Sequence, residues 1–209
     1  AKYSREYGFG QKTGIDLPGE ASTASLIFSE EQLAQTESNL AVSSFGQGFN
    51  VTMVQLASSF CSLINGGDLY QPHVVKKVVD DSGNTVQEIN PVVLKETVSQ
   101  EVSDTLRDYM YTVVSEGTGA KAAVEGYAIG GKTGTAELDL RHPNHGLFIG
   151  YAPASDPEYA VAIRIANGYS SGNACLIAND IFKYMYNLAD KDSILTGIAS
   201  TDTSDTSND

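Results

Sequence analysis

Basic residues are scarce in this sequence: 13 lysines and arginines face 26 aspartates and glutamates, a formal net charge of −13 at pH 7. A surplus of that size repels nucleic acid phosphates and anionic lipid surfaces wherever charge is unscreened, so no nucleic acid partner is expected. Long apolar runs are missing as well. None approaches the roughly 18–20 residues that span a bilayer, and the opening AKYSREYGFG has no signal-peptide h-region. A membrane anchor or export signal is therefore expected upstream of this chain. Cysteine is nearly absent. Cys61 and Cys175 both stand in apolar helical stretches, where buried free thiols are expected rather than a disulfide.

What is present suits a globular protein. The 209 residues are 41% hydrophobic, enough for one sizeable core, with two small domains as the second case. Residues 1–30 are rich in loop formers, and they end where Ser29 is placed to cap a short helix over SEEQLAQ. Thr52 and Gln55 have capping-box spacing and open VTMVQLASSFCSLI, apolar on nearly every face and so expected to be a buried helix. Asn65-Gly66-Gly67 supplies its left-handed stop. PHVVKKVVDDSGNTVQEI reads as two strands around an Asp-Ser-Gly-Asn turn, and a second helix is predicted from about Ser99 to Glu116.

Beyond Tyr127, the segments YAIGGKTGTAE, GLFIGYAP and EYAVAIRIAN predict three consecutive antiparallel strands. NACLIANDIFKYMYNLAD follows with a 3.6-residue period and predicts an amphipathic helix lying on that sheet. The expected fold class is α/β of the α+β type, an antiparallel sheet flanked by helices. Residues 191–209, ending in STDTSDTSND, read as a polar acidic tail.

One stretch demands a choice. Gly126 to Thr133, GYAIGGKT, fits the phosphate-loop pattern G-x-x-x-x-G-K-[ST]. That loop works where a buried strand delivers glycines to a helix N-terminus. Neither flank suits it: TGAKAAVE precedes, and no amphipathic helix pattern follows Lys132-Thr133. On a strand, alternation instead places Lys132 and Gly134 on one face and Thr133 and Thr135 on the other. A lysine and hydroxyls beside bare backbone at Gly134 make a receptor for a peptide carboxylate; a structural strand with an exposed lysine is the other reading. The same triplet occurs at Lys12-Thr13-Gly14, so at most one copy is expected to do chemistry.

The stretch from Val113 to Glu137, VVSEGTGAKAAVEGYAIGGKTGTAE, resembles the segment leading into the Lys-Thr-Gly motif of class B penicillin-binding proteins. YGFGQKTGIDLPGE, FGQGFNVTMVQLASSFCSLINGGDLYQPHVV and FIGYAPASDPEYAVAIRIAN resemble the same family in the same order, over roughly residues 7 to 190. The resemblance implies a penicillin-binding protein/β-lactamase-like fold and makes residues 1–190 the C-terminal portion of a transpeptidase domain, whose remainder is a necessary partner. It implies a D,D-transpeptidase acting on D-Ala-D-Ala stem peptides of peptidoglycan, inhibited by β-lactams, at the extracytoplasmic face of a bacterial cell membrane. By the same resemblance Lys132 and Thr135 are the catalytic candidates, and Lys132, Thr133, Gly134 and Thr135 bind substrate. Thr135 N–H would form half of an oxyanion hole, and Lys12 would sit in an architectural loop. No cofactor and no metal is expected.

The chain departs from the family in one respect. Acyl transfer there needs a serine with a lysine three residues later, yet the positions three before Lys76, Lys77, Lys121 and Lys132 are His73, Val74, Thr118 and Ile129, and no other lysine has a serine there. Ser-x-Asn occurs at Ser82–Asn84 and Ser171–Asn173, both read as turn chemistry. The serine motifs are expected before residue 1, leaving this chain inactive alone. The alternative is a β-lactam sensor or noncatalytic penicillin-binding module. His142 and His145 stand three apart without a third ligand and read as surface histidines.

Overall fold

In the computed structural model, which describes residues 2–137, 141–192 and 194, the chain divides into two compact units, Ala1–Tyr109 and Met110–Asp209. Composition predicts one core. In the first unit the central helix buries polar side chains.

That unit contains α1 (Lys2–Glu6), a 3₁₀ turn at Ala24–Leu26, α2 (Glu30–Gln35), α3 (Glu37–Ser44) and α4 (Met53–Ile64). Ser29 and Thr52 cap α2 and α4, each with a full capping box, as their spacing predicts. α4 is not buried on every face. Gln55, Ser59, Phe60, Ser62 and Ile64 are buried, while Val54, Leu56, Cys61 and Leu63 are half-buried. Three of the five buried residues are polar because each finds partners. Gln55 Oε1 accepts from Thr52 N–H at 2.9 Å and from the Thr23 hydroxyl at 3.0 Å, and its amide donates to the carbonyl of Gln11. The Ser59 hydroxyl reaches the carbonyls of Gln55 and Tyr7, and that of Ser62 donates to Ser59 O at 2.8 Å.

After α4, Gly66 and Gly67 take φ of +96° and +114° and stop the helix. β1 (Asp68–Tyr70) pairs antiparallel with β4 (Val93–Glu96), a pairing not evident in the sequence, and brackets the hairpin β2 (Lys77–Val79) and β3 (Thr85–Glu88). Asp80 holds the hairpin turn by accepting from Ser82 N–H at 2.9 Å and Asn84 N–H at 2.8 Å. α5 (Gln100–Ser115) follows, and the division between the units falls within it.

The second unit has a three-stranded antiparallel sheet in the order β5 (Gly130–Ala136), β6 (His145–Ala152), β7 (Tyr159–Ile165), followed by α6 (Ser171–Met185). Ser170 caps α6, accepting from Gly172 N–H. Pairing is unbroken from Gly130↔Tyr151 to Ala136↔His145 and from Gly146↔Ile165 to Ala152↔Tyr159. The apolar core lies between this sheet and α6. Phe148 and Ala152 come from β6, Ala174, Cys175, Ala178 and Phe182 from α6, and Val114, Ala122, Val124 and Ile129 complete it.

Both cysteines are free; Cys175 is buried but Cys61 is only half-buried, which corrects the expectation of two buried thiols. Burial raises the thiol pKa of each, opposed at Cys175 by the charge of Lys121. The segment 195–209, with most of the expected tail, lies outside the described residues. Among the described residues no helix is long and apolar enough to cross a membrane.

Candidate functional site

The strand β5 carries the Lys-Thr-Gly-Thr run, and its local packing explains the glycine-rich approach. Gly130 and Gly131 are both buried. A Cβ on Gly130 would fall 2.4 Å from the Tyr151 ring, and one on Gly131 would fall 2.5 Å from the Phe148 ring. The glycines therefore admit aromatic rings of β6, one on each face of the sheet. That use, and a strand in place of a helix N-terminus after them, leaves nothing of the phosphate-loop reading.

Register settles the faces. Thr133 and Thr135 pair with Phe148 and Gly146, so their side chains share the face of the sheet that carries the Phe148 core. Lys132 and Gly134 pair with Ile149 and Leu147 and project from the other face. Lys132 is exposed, and its Nζ turns back to the strand, donating to the Thr133 carbonyl at 2.8 Å. The Thr133 hydroxyl meets the Thr118 hydroxyl at 2.8 Å. Thr135 is exposed, and Gly134 is half-buried. Among the described residues β5 pairs with β6 alone, so no strand lies along its other edge.

The second Lys-Thr-Gly is arranged quite differently. Glu20 closes the loop by accepting from the Thr13 hydroxyl at 2.6 Å and from the backbone N–H groups of Thr13 and Gly14. Burial opposes the charge on Glu20, but these donors outweigh it and hold the carboxyl below its ordinary pKa. Asp16 accepts from Val74 N–H at 2.8 Å and Val75 N–H at 3.0 Å, which lowers its pKa too. Gly14 O accepts from Gln71 at 2.7 Å. Thr13, Gly14, Asp16 and Glu20 thus clamp the loop, while Lys12 stays exposed.

The two Ser-x-Asn sequences make local backbone bonds. The first forms the hairpin turn; the second opens α6, where Asn173 donates to Gly168 O at 3.1 Å. His145 accepts from Asn167 N–H at 3.1 Å and lies 2.8 Å from an Arg164 guanidinium nitrogen. Among the described residues no group of three or more His, Cys, Asp or Glu could hold a metal ion. The residue that sequence reasoning passed over is Thr118: nothing in the spacing of Gly-Thr-Gly at 117–119 shows that its hydroxyl meets the strand.

Comparison with known proteins bears on most of the chain. The penicillin-binding protein transpeptidase domain family matches residues 1–187. The chain is 41% identical over 172 residues to stage V sporulation protein D of Bacillus subtilis, which covers 79% of this chain and 26% of that protein. It is 33% identical over 204 residues to the peptidoglycan D,D-transpeptidase MrdA of Acinetobacter baumannii, covering 88% of this chain and 30% of that protein. Among solved structures, the D,D-transpeptidase domain of a peptidoglycan glycosyltransferase from Eggerthella lenta superposes with a TM-score of 0.78 at 28% identity, over 90% of this chain and 47% of that one. An imipenem acyl-enzyme of penicillin-binding protein A from M. tuberculosis gives a TM-score of 0.70 at 25% identity, over 85% of this chain and 39% of that one. The chain thus spans between a quarter and a third of these curated relatives. With four blocks in family order, an antiparallel sheet ending in the Lys-Thr-Gly strand and a match over residues 1–187, this chain belongs to the penicillin-binding protein transpeptidase domain family and forms part of such a domain.

Proposed function

We propose that the protein containing this chain is a peptidoglycan D,D-transpeptidase, and that β5 is its substrate-binding strand. The observation that carries the reading is the edge of β5 along which no strand lies among the described residues, beside an exposed Lys132 and the hydroxyls of Thr133 and Thr135. A peptide backbone adds to such an edge by main-chain hydrogen bonds. Its terminal carboxylate accepts from the Lys132 ammonium, which already sits on the Thr133 carbonyl, and from the threonine hydroxyls. Residues two apart on a strand turn their backbone groups the same way. Thr135 N–H therefore points to the side on which Thr133 O meets Lys132, and there it supplies one donor to a developing oxyanion.

The chemistry is acyl transfer. A serine Oγ attacks the carbonyl of the penultimate D-Ala; the C–O bond forms, the C–N bond breaks, and the terminal D-Ala leaves as an amine carrying the serine proton. An amine of a neighbouring stem peptide then attacks the ester, forming the cross-link and restoring the hydroxyl. No lysine of this chain has a serine three residues before it, so we assign the nucleophile to the rest of the protein, anchored at the extracytoplasmic face of the cell membrane. A β-lactam enters the same route through its own carboxylate and strained amide. Labelled penicillin added to the full-length protein tests the reading: one covalent adduct on a serine outside these 209 residues is expected, and no adduct overturns it.

A further inference from the structure

The contact between Thr118 and Thr133 lies outside everything assigned so far. Thr118 stands between Gly117 and Gly119, directly after α5. A Cβ on Gly117 would fall 2.9 Å from Val113 O, and one on Gly119 would meet Val113 O at 3.1 Å and Val114 Cγ2 at 3.3 Å. Both glycines are thus pressed onto the last turn of α5. Gly119 N–H donates back to Val113 O at 2.9 Å, and the following 3₁₀ turn buries Ala122 completely in the core. The turn is fixed on both sides, while Thr118 itself is exposed and points its hydroxyl at Thr133.

We infer that Thr118 is a positioning residue for carboxylate recognition, setting the direction in which Thr133 donates. The inference rests on the substrate-strand reading above. A hydroxyl has one proton to give and two lone pairs to receive with. A carboxylate only accepts, so when one binds at Thr133 the single Thr133 proton must point to it. In the 2.8 Å contact either hydroxyl is able to donate, but in the bound state only Thr118 remains to do so. Its proton then occupies a lone pair of Thr133, polarises the Thr133 O–H and removes the rotamer that turns away from the ligand. A threonine on a rigid Gly-Thr-Gly turn performs this at little entropic cost, since its backbone is already held.

The test uses the full-length protein and the second-order rate of acylation by benzylpenicillin. Thr118→Val keeps the shape and removes the hydroxyl, and a fall of about three- to ten-fold is expected, the range for one neutral hydrogen bond. Thr118→Ser should restore most of the rate. In a Thr133→Val background, Thr118→Val should cost nothing further, since the hydroxyl it orients is gone. Equal losses from Thr118→Val with and without the Thr133 hydroxyl overturn the inference, as does an unchanged rate in Thr118→Val alone when Thr133→Val is slowed. If neither variant is slowed, the carboxylate reading fails and takes this inference with it. Thermal melts unchanged among the variants keep folding out of the comparison.

Discussion

Gly130 lies so close under Tyr151 that a Cβ on it would sit 2.4 Å from the ring, whereas a Cβ on Gly134, four residues along the same strand, would sit 3.4 Å from Leu147 Cβ in ordinary contact. One glycine is required by the fold. The other is tolerant as far as its own sheet is concerned, so any penalty for filling it comes from outside the sheet.

Substituting the two glycines should therefore separate folding from binding. Gly130→Ala must displace a fully buried tyrosine and is expected to destabilise the protein by about 1–3 kcal/mol, the usual cost of overpacking. Gly134→Ala should leave the melting temperature nearly unchanged and slow penicillin acylation, because the added methyl obstructs the approach of a ligand backbone. Thermal denaturation beside acylation kinetics distinguishes the two; a destabilised Gly134→Ala protein would contradict the assignment.

The two Lys-Thr-Gly triplets should respond unequally. In the full-length protein Lys132→Ala is expected to reduce acylation by benzylpenicillin strongly, on the order of tenfold or more for a charged hydrogen bond to a carboxylate. Lys12→Ala should change it little, since the loop is held by Thr13, Gly14, Asp16 and Glu20. Equal losses with folding intact would reverse the assignment.

Acid should loosen that loop. Asp16 and Glu20 are held below their ordinary values of 3.8 and 4.5. A carboxyl whose folded pKa is depressed contributes stability above its unfolded pKa and loses it as pH falls through the folded one. Glu20→Gln should thus lower the melting temperature most at neutral pH, with the gap to wild type closing below about pH 4.5. A gap constant from pH 7 to pH 3 would show that the Glu20 charge has no part in holding the loop.

The core between the sheet and α6 gives a fourth expectation. Phe182 is completely buried among Phe148, Ala174 and Ala178, and Phe182→Ala should cost about 3–5 kcal/mol in chemical denaturation. A cost below about 1 kcal/mol would mean that the side chain is not packed as described.

The second unit was the more legible half in sequence. Three apolar runs with turn formers between them, then a 3.6-residue period, specify β5, β6, β7 and α6, because one face of each must meet the same core. The first unit hid its logic in polar residues. The helix carrying Gln55 and Ser59 reads as buried, but their partners at Gln11, Thr23 and Tyr7 come close only through the fold, and no local pattern announces contacts more than thirty residues apart. β1 and β4 are too short, at three and four residues, to show a period. The position of Lys132 and its threonines was readable from strand alternation, but the hydroxyl of Thr118 was not, since its meeting with Thr133 depends on how α5 ends.

A strand edge open to a peptide ligand is equally open to the same edge of another copy. Natural sheets guard such edges with charge, lysine above all, and β5 carries a single lysine, set near the middle of its seven residues. The residue we propose as the carboxylate partner is therefore also the one charge on β5 that guards this edge against another copy. Lys132→Ala removes both effects, so its activity is best measured on protein shown by light scattering to be monodisperse, with Lys132→Arg, which keeps the charge, beside it.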